Sequence, residues 1–140
     1  MKRLLFAAVL FALLLAACAG QNTPAGKSAK VPVSDDSYTN VSATQLKAML
    51  DKKDFAFINV HIPYEGEIAK TDAFVPYNEI EKNLNELPAD KNAKIVLYCR
   101  SGRMSTLAAE TLIRLGYANV WNVDGGMIAW EALGLPLKAK

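Results

Sequence analysis

The chain has 140 residues, with 16 basic residues against 14 acidic residues and a formal net charge of +2 at pH 7. This balance lacks the excess of positive charge that attracts nucleic acid or an acidic surface, so we expect no nucleic-acid partner. The single histidine, His61, and the two cysteines exclude a multi-histidine metal site, a cysteine-based zinc site and a Cys-x-x-Cys redox pair. The composition therefore predicts neither a metal nor another cofactor.

The N-terminus begins with Met1-Lys2-Arg3 and continues as an uncharged apolar run over residues 4–17. A helix that spans a bilayer needs about 20 residues, so the run is too short to cross one. The pattern is typical of a secretory signal peptide over residues 1–17. Removal of Lys2 and Arg3 with this signal would leave 14 basic and 14 acidic residues, so the mature chain is expected to be near neutral.

The end of the signal, Leu15-Ala16-Ala17-Cys18, resembles the lipobox of bacterial lipoproteins. The resemblance implies that Cys18 becomes the N-terminal residue, with a diacylglyceryl group on its sulfur and an acyl chain such as palmitate on its amine. Several acyl chains hold a protein durably on a membrane. Because Ala19 and not aspartate follows, the resemblance implies the periplasmic side of the outer membrane in a two-membrane bacterium, and otherwise the outer side of the cytoplasmic membrane. The alternative is an ordinary secretory signal with an incidental cysteine.

Polar and small residues dominate the segment that follows. We interpret residues 18–40 as the lipidated N-terminus and a flexible tether. Residues 41–137 are enough for one domain with one hydrophobic core.

The first half of this domain contains one predicted helix and two predicted strands. Ser42 and Gln45 have the spacing of a capping box, and the helix they begin is expected to end near residue 51. Residues 55–60 are predicted to form a strand covered on both faces, which ends at His61-Ile62-Pro63. Residues 64–73 are predicted to be mainly loop, with a very short strand over 73–75.

The second half alternates helices and strands. Helices are predicted over 78–87, 105–115 and from Gly126 to 133, and strands over 94–98 and 119–123. In the second of these helices, the residues expected to face inward are Leu107, Ala108, Thr111, Leu112 and Leu115. The alternation predicts an α/β domain with a mainly parallel sheet.

Cys99 directly follows the predicted strand 94–98 and opens the loop Cys99-Arg100-Ser101-Gly102-Arg103-Met104-Ser105. Backbone N–H groups of a short loop, the start of the following helix and two arginines would together stabilise a thiolate. Most lone cysteines only fill space in a core. However, Arg-Ser-Gly-Arg is poor core material and good anion-binding material, so the pattern favours a nucleophilic Cys99.

Five segments in order resemble those of a single-domain rhodanese over residues 41–137: 57–63, 66–68, 95–105, 112–120 and the closing motif 124–136. The resemblance implies a five-stranded, mainly parallel sheet flanked by helices on both faces. It also implies a sulfurtransferase of the thiosulfate:cyanide type, in which Cys99 takes a sulfane sulfur from a small sulfur-containing anion. The persulfide then passes this sulfur to a thiol, to cyanide or to a protein acceptor.

The loop residues expected to hold the donor in such a protein are Arg100, Ser101, Gly102, Arg103, Met104 and Ser105. Alternatively, either arginine is a solvated surface residue without a role in binding. Met104 stands where many family members have arginine, and Asn59 and His61 replace the usual aspartate and arginine. Asn59 and His61 are possible auxiliary residues. His61 is either a proton donor or a surface or capping residue. We assign no chemical role to Glu65 or Glu67.

Three rival functions remain open at this stage. A cysteine phosphatase uses Cys-x5-Arg, but the sixth residue after Cys99 is Ser105. A membrane-tethered persulfide carrier with little turnover of its own is the main alternative to an enzyme. The third is a signalling or scaffold domain in which Cys99 has no chemistry.

Overall fold

The computed structural model describes residues 29–33 and 36–138. The predicted signal peptide over 1–17, the lipidation site Cys18 and the first part of the predicted tether lie outside the described residues. No helix in the described part of the chain is long and apolar enough to cross a membrane.

The strands are β1 (Ala29–Val33), β2 (Asp36–Val41), β3 (Ala56–Asn59), β4 (Ala73–Phe74), β5 (Ile95–Tyr98) and β6 (Val120–Val123). Over residues 29–33 and 36–138, these six strands form one sheet in the order β1-β2-β6-β5-β3-β4. Strand β1 is antiparallel to β2, with Ala29 opposite Asn40, and the other pairs are parallel. The prediction of a five-stranded parallel sheet is confirmed, with β1 as an added antiparallel edge strand.

The helices are α1 (Ala43–Asp51), α2 (Arg103–Arg114) and α3 (Gly126–Ala132). The capping box of α1 is present, since Ser42 Oγ accepts from the Gln45 amide at 3.2 Å and Gln45 Oε1 accepts from the Ser42 amide at 2.8 Å. These two bonds satisfy backbone donors that have no partner within the helix.

Alternate residues of β5 enter two separate cores. Ile95 and Leu97 pack on the face that α2 covers, whereas Val96 and Tyr98 pack on the face that α1 and α3 cover. All four side chains are fully buried. Helices therefore cover both faces of the sheet. This is expected for β5, a parallel strand in which polar residues do not alternate with apolar ones.

Three local predictions are wrong. The helix predicted over 78–87 is two 3₁₀ turns, Ile80–Lys82 and Leu84–Glu86. Asn83 Nδ2 donates to the carbonyl of Glu79 at 2.9 Å, and such local side-chain bonds compete with the α-helical pattern. The predicted tether over 18–40 contains β1 and most of β2, which pair with each other and with β6.

The third error concerns the inward face of α2. Ala108 and Leu112 are buried and Thr111 and Leu115 are half-buried, but Leu107 is 42% exposed. The helix also begins at Arg103, two residues before the predicted start.

Candidate active site

Cys99 lies at the carboxyl end of the central strand β5, and only residues 100–102 separate it from helix α2. Gly102 caps α2 in the left-handed conformation with φ of 98°, which a residue with a side chain rarely adopts. This tight turn brings the Gly102 amide to 3.1 Å from Sγ of Cys99, to which it donates a hydrogen bond. The loop thus presents a backbone donor to the sulfur.

Ser105, in the first turn of α2, supplies a second donor to this sulfur. Its Oγ lies 3.5 Å from Sγ of Cys99 and 3.0 Å from the carbonyl oxygen of Gly102. A hydroxyl carries one hydrogen, so Ser105 can donate to the carbonyl or to the sulfur at a given moment. A negative charge on Sγ would favour donation to the sulfur.

The carbonyl groups of the loop are turned toward helix α3. The carbonyl of Cys99 accepts from the Met127 amide at 2.9 Å, and that of Arg100 accepts from the Ile128 amide at 3.0 Å. Gly126 permits this docking, because a Cβ at this position would overlap the carbonyl oxygen of Cys99. The first turn of α3 therefore holds these two oxygens in hydrogen bonds of their own.

The sulfur is enclosed, since Cys99 is only 1% exposed. A bulky acceptor cannot make wide contact with Sγ in this arrangement. A persulfide would extend the side chain by about 2 Å, the length of an S–S bond. Its outer sulfur would thus be the atom offered to a reaction partner.

The two arginines of the loop differ in their surroundings. Arg100 is paired with Glu65, with 2.5 Å between Nη1 and Oε2. Arg103 is exposed and makes no ion pair with the residues that the structure describes. The hydrogen bond from Arg100 lowers the pKa of Glu65 below its ordinary value, so this carboxylate is charged at neutral pH.

Glu65 is the residue that sequence reasoning missed. Its Oε2 also lies 3.2 Å from Nε2 of His61, which is four residues earlier. That spacing from His61, a possible auxiliary residue, is the signal that could have identified it. His61 is 7% exposed, and its Nδ1 has no hydrogen-bond partner among the described residues.

Asn59 has a role in local structure. Its Nδ2 donates to the carbonyl of Gly66 at 3.0 Å, and its Oδ1 accepts from the His61 amide at 3.0 Å. Asn59 therefore ties the end of β3 to the segment that carries Glu65. The remaining loop residues are Ser101, which is exposed, and Met104, which is half-buried against the core on the α2 face.

A depression of about 310 Å³ lies beside the loop. It is lined by Glu65, Arg100, Met127, Glu131 and Leu137. Its charged side chains are thus one arginine and two glutamates. No cluster of three or more potential metal ligands is present in residues 29–33 and 36–138.

The domain is similar in sequence to known proteins. The family model described as a rhodanese-like domain matches residues 42–133. A sulfurtransferase of Allochromatium vinosum is 37% identical over 95 residues, which cover 65% of this chain and 85% of that protein.

Two further similarities concern a larger protein and a solved structure. The tRNA uridine(34) hydroxylase of Erwinia tasmaniensis is 28% identical over 110 residues, which cover 71% of this chain and only 31% of that protein. The crystal structure of a rhodanese-related protein from Thermoplasma volcanium matches with a TM-score of 0.61 and 27% identity, over 72% of this chain and 98% of that one. The chain belongs to the rhodanese-like domain family, whose members include sulfurtransferases.

Proposed function

We propose that this chain is a sulfurtransferase that moves a sulfane sulfur through a persulfide on Cys99. The observation that carries the proposal is the pair of donors aimed at Sγ of Cys99, namely the Gly102 amide at 3.1 Å and the Ser105 hydroxyl at 3.5 Å. Charge-assisted hydrogen bonds of this kind stabilise the thiolate that must attack the donor.

In the first step, the thiolate of Cys99 attacks the sulfane sulfur of a donor. With thiosulfate, the S–S bond of the donor breaks, a new S–S bond forms on Cys99 and sulfite leaves with the electron pair. With a persulfide, the leaving group is the thiolate of the donor. In the second step, a nucleophilic acceptor such as cyanide or a thiolate takes the outer sulfur, and the thiolate of Cys99 is restored.

The test is sulfur loading of the purified chain. Incubation with thiosulfate or a small persulfide should add the mass of one sulfur atom to the peptide that contains Cys99. Cyanide should then remove it as thiocyanate. The Cys99→Ser variant should show neither change, and activity that survives this substitution would refute the assignment.

The same experiment separates the enzyme from a persulfide carrier, which is the alternative function. A carrier would hold the extra sulfur but release it slowly to cyanide and small thiols. The two hydrogen-bond donors at Sγ of Cys99 favour this alternative over a vestigial cysteine, because a side chain that only fills space needs no such donors. A phosphatase would hydrolyse an aryl phosphate, which we expect to remain intact.

We also propose that the chain is a lipoprotein anchored through Cys18 and facing the periplasm or cell exterior. The support is the sequence pattern of residues 1–18 alone. Metabolic labelling with an alkynyl palmitate should mark the wild-type chain and leave the Cys18→Ser variant unlabelled. Label on the variant would place the acyl group elsewhere.

A further inference from the structure

The charges around the loop are unlike those expected for a site that binds a dianion. The cation nearest to Cys99 in sequence, Arg100, is already paired with Glu65. Glu131 adds a second carboxylate to the same depression and makes no ion pair with the residues described here. Arg103 is left as the loop cation without a carboxylate partner among the described residues. The depression itself is therefore lined by one arginine, already paired, and two glutamates.

The position of Glu65 is fixed by its neighbours on both sides. Gly66 accepts from Asn59 at 3.0 Å, and Glu67 forms two backbone hydrogen bonds with Lys138, at 3.2 Å and 2.8 Å. Gly66 also lies so close to the C-terminal segment that a Cβ there would be 2.8 Å from the carbonyl oxygen of Lys138. The carboxylate of Glu65 thus projects from a tied segment and not from a free loop.

We propose that Glu65 is a specificity-determining residue that disfavours thiosulfate and favours persulfide donors of lower charge. An anionic donor that uses Arg100 must displace the carboxylate of Glu65 or bind beside it. The repulsion between Glu65 and the donor grows with the donor's charge. Thiosulfate carries two negative charges. Deprotonated cysteine persulfide carries one net negative charge, on its persulfide group, since its ammonium group offsets its carboxylate.

This inference rests on the proposed function, because it concerns the donor of the same reaction. With cysteine persulfide, the thiolate of Cys99 attacks the outer sulfur of the donor. The donor S–S bond breaks, cysteine leaves as its thiolate, and the new S–S bond forms on Cys99. The transfer needs no oxidant or reductant, because one S–S bond replaces another.

The experiment measures the second-order rate constant of Cys99 sulfuration with thiosulfate and with cysteine persulfide, by quenched single-turnover mass spectrometry. We expect Glu65→Gln to raise the constant for thiosulfate about ten-fold and that for cysteine persulfide less than about three-fold. Glu131→Gln is the matched control, because it removes the same charge from the same depression without touching Arg100. It should change the ratio of the two constants less than about two-fold.

A second control is the Glu65→Gln change in an Arg100→Gln background, where most of the gain with thiosulfate should be lost. Thermal unfolding of each variant checks that the fold is retained. An unchanged ratio in Glu65→Gln, or an equal gain in Glu131→Gln, would overturn the inference while leaving sulfur transfer intact. Failure of both donors to load wild-type Cys99 would instead refute the proposed function and this inference with it.

Discussion

The carbonyl oxygen of Cys99 lies against the backbone of Gly126 and occupies the space that a side chain at position 126 would need. The same absent side chain would lie 2.8 Å from the carbonyl oxygen of Arg100. The start of α3 and the sulfur loop are thus one packed unit. The position of the loop that begins at Cys99 therefore depends on Gly126, which follows it in the chain after helix α2 and strand β6.

Gly126→Ala should therefore misplace the loop and destabilise the domain. We expect a loss of about 3 kcal/mol or more from the overlap and from φ of +52° together, and at least a ten-fold slower sulfuration of Cys99. Gly134→Ala is the control, because Gly134 has φ of +73° but no atom within 4 Å of the new methyl group. It should cost about 1–2 kcal/mol and leave sulfuration unchanged. Urea unfolding and the loading assay give both quantities.

Ser105→Ala should slow sulfur transfer with little loss of stability. The variant removes the hydroxyl that lies 3.5 Å from Sγ of Cys99, and we expect a rate about ten-fold lower. The matched control is Thr111→Val, which removes another hydroxyl of α2 that donates to the carbonyl of Leu107 at 3.0 Å. Equal effects of the two variants would show that Ser105 acts only through the helix.

The buried Tyr98 should make the folded domain less stable at alkaline pH. Burial raises the pKa of Tyr98 to about 12 from an ordinary value of 10.0. The unfolded chain then loses this proton at lower pH than the folded chain, so the free energy of unfolding falls as pH rises between 10 and 12. The loss from this group is about 2–3 kcal/mol, and the contribution is complete below pH 10.

The measurement is urea unfolding of wild type and Tyr98→Phe across this pH range. The variant should fall less steeply with pH. At neutral pH it should be about 1–3 kcal/mol less stable, because the Ile68 amide, which donates to Tyr98 Oη at 3.0 Å, loses its acceptor. Parallel pH profiles for the two proteins would refute the assignment.

The two leucines of α2 should differ in how much stability the domain loses when each is truncated to alanine. Leu112 is fully buried, so Leu112→Ala should cost about 2–5 kcal/mol. Leu107 is 42% exposed, and Leu107→Ala should change stability by less than about 1 kcal/mol. A comparable loss in both variants, measured by urea unfolding, would contradict the orientation of the helix.

Local signals in the sequence were sufficient for most of the fold. The capping box at Ser42 and Gln45 and the uninterrupted apolar run over 95–98 each specify an element without reference to distant residues. The position of Cys99 follows in turn, because sites in parallel sheets lie beyond the carboxyl ends of strands. The placement of Cys99 in a short loop between a strand and a helix was thus predictable from the apolar run before it and the helical pattern after it.

Features that depend on distant partners were missed. The partners of β2 include β6, about eighty residues away, so polar composition alone indicated a tether. Glu65 pairs with Arg100, 35 residues later, and no local pattern encodes this contact. Leu107 fits the helical spacing of an inward stripe, and only the docking of α2 on the sheet shows that it faces solvent.

The antiparallel direction of β1 determines where the chain enters the domain. Because Ala29 lies opposite Asn40, near the carboxyl end of β2, the N-terminal end of β1 is at the same edge of the sheet as the carboxyl end of β5. Three strand spacings, roughly 14 Å, separate the two. The chain therefore enters the sheet at the same end that carries Cys99, so an attachment to residues just before β1 would lie on the side of the domain where the sulfur loop is.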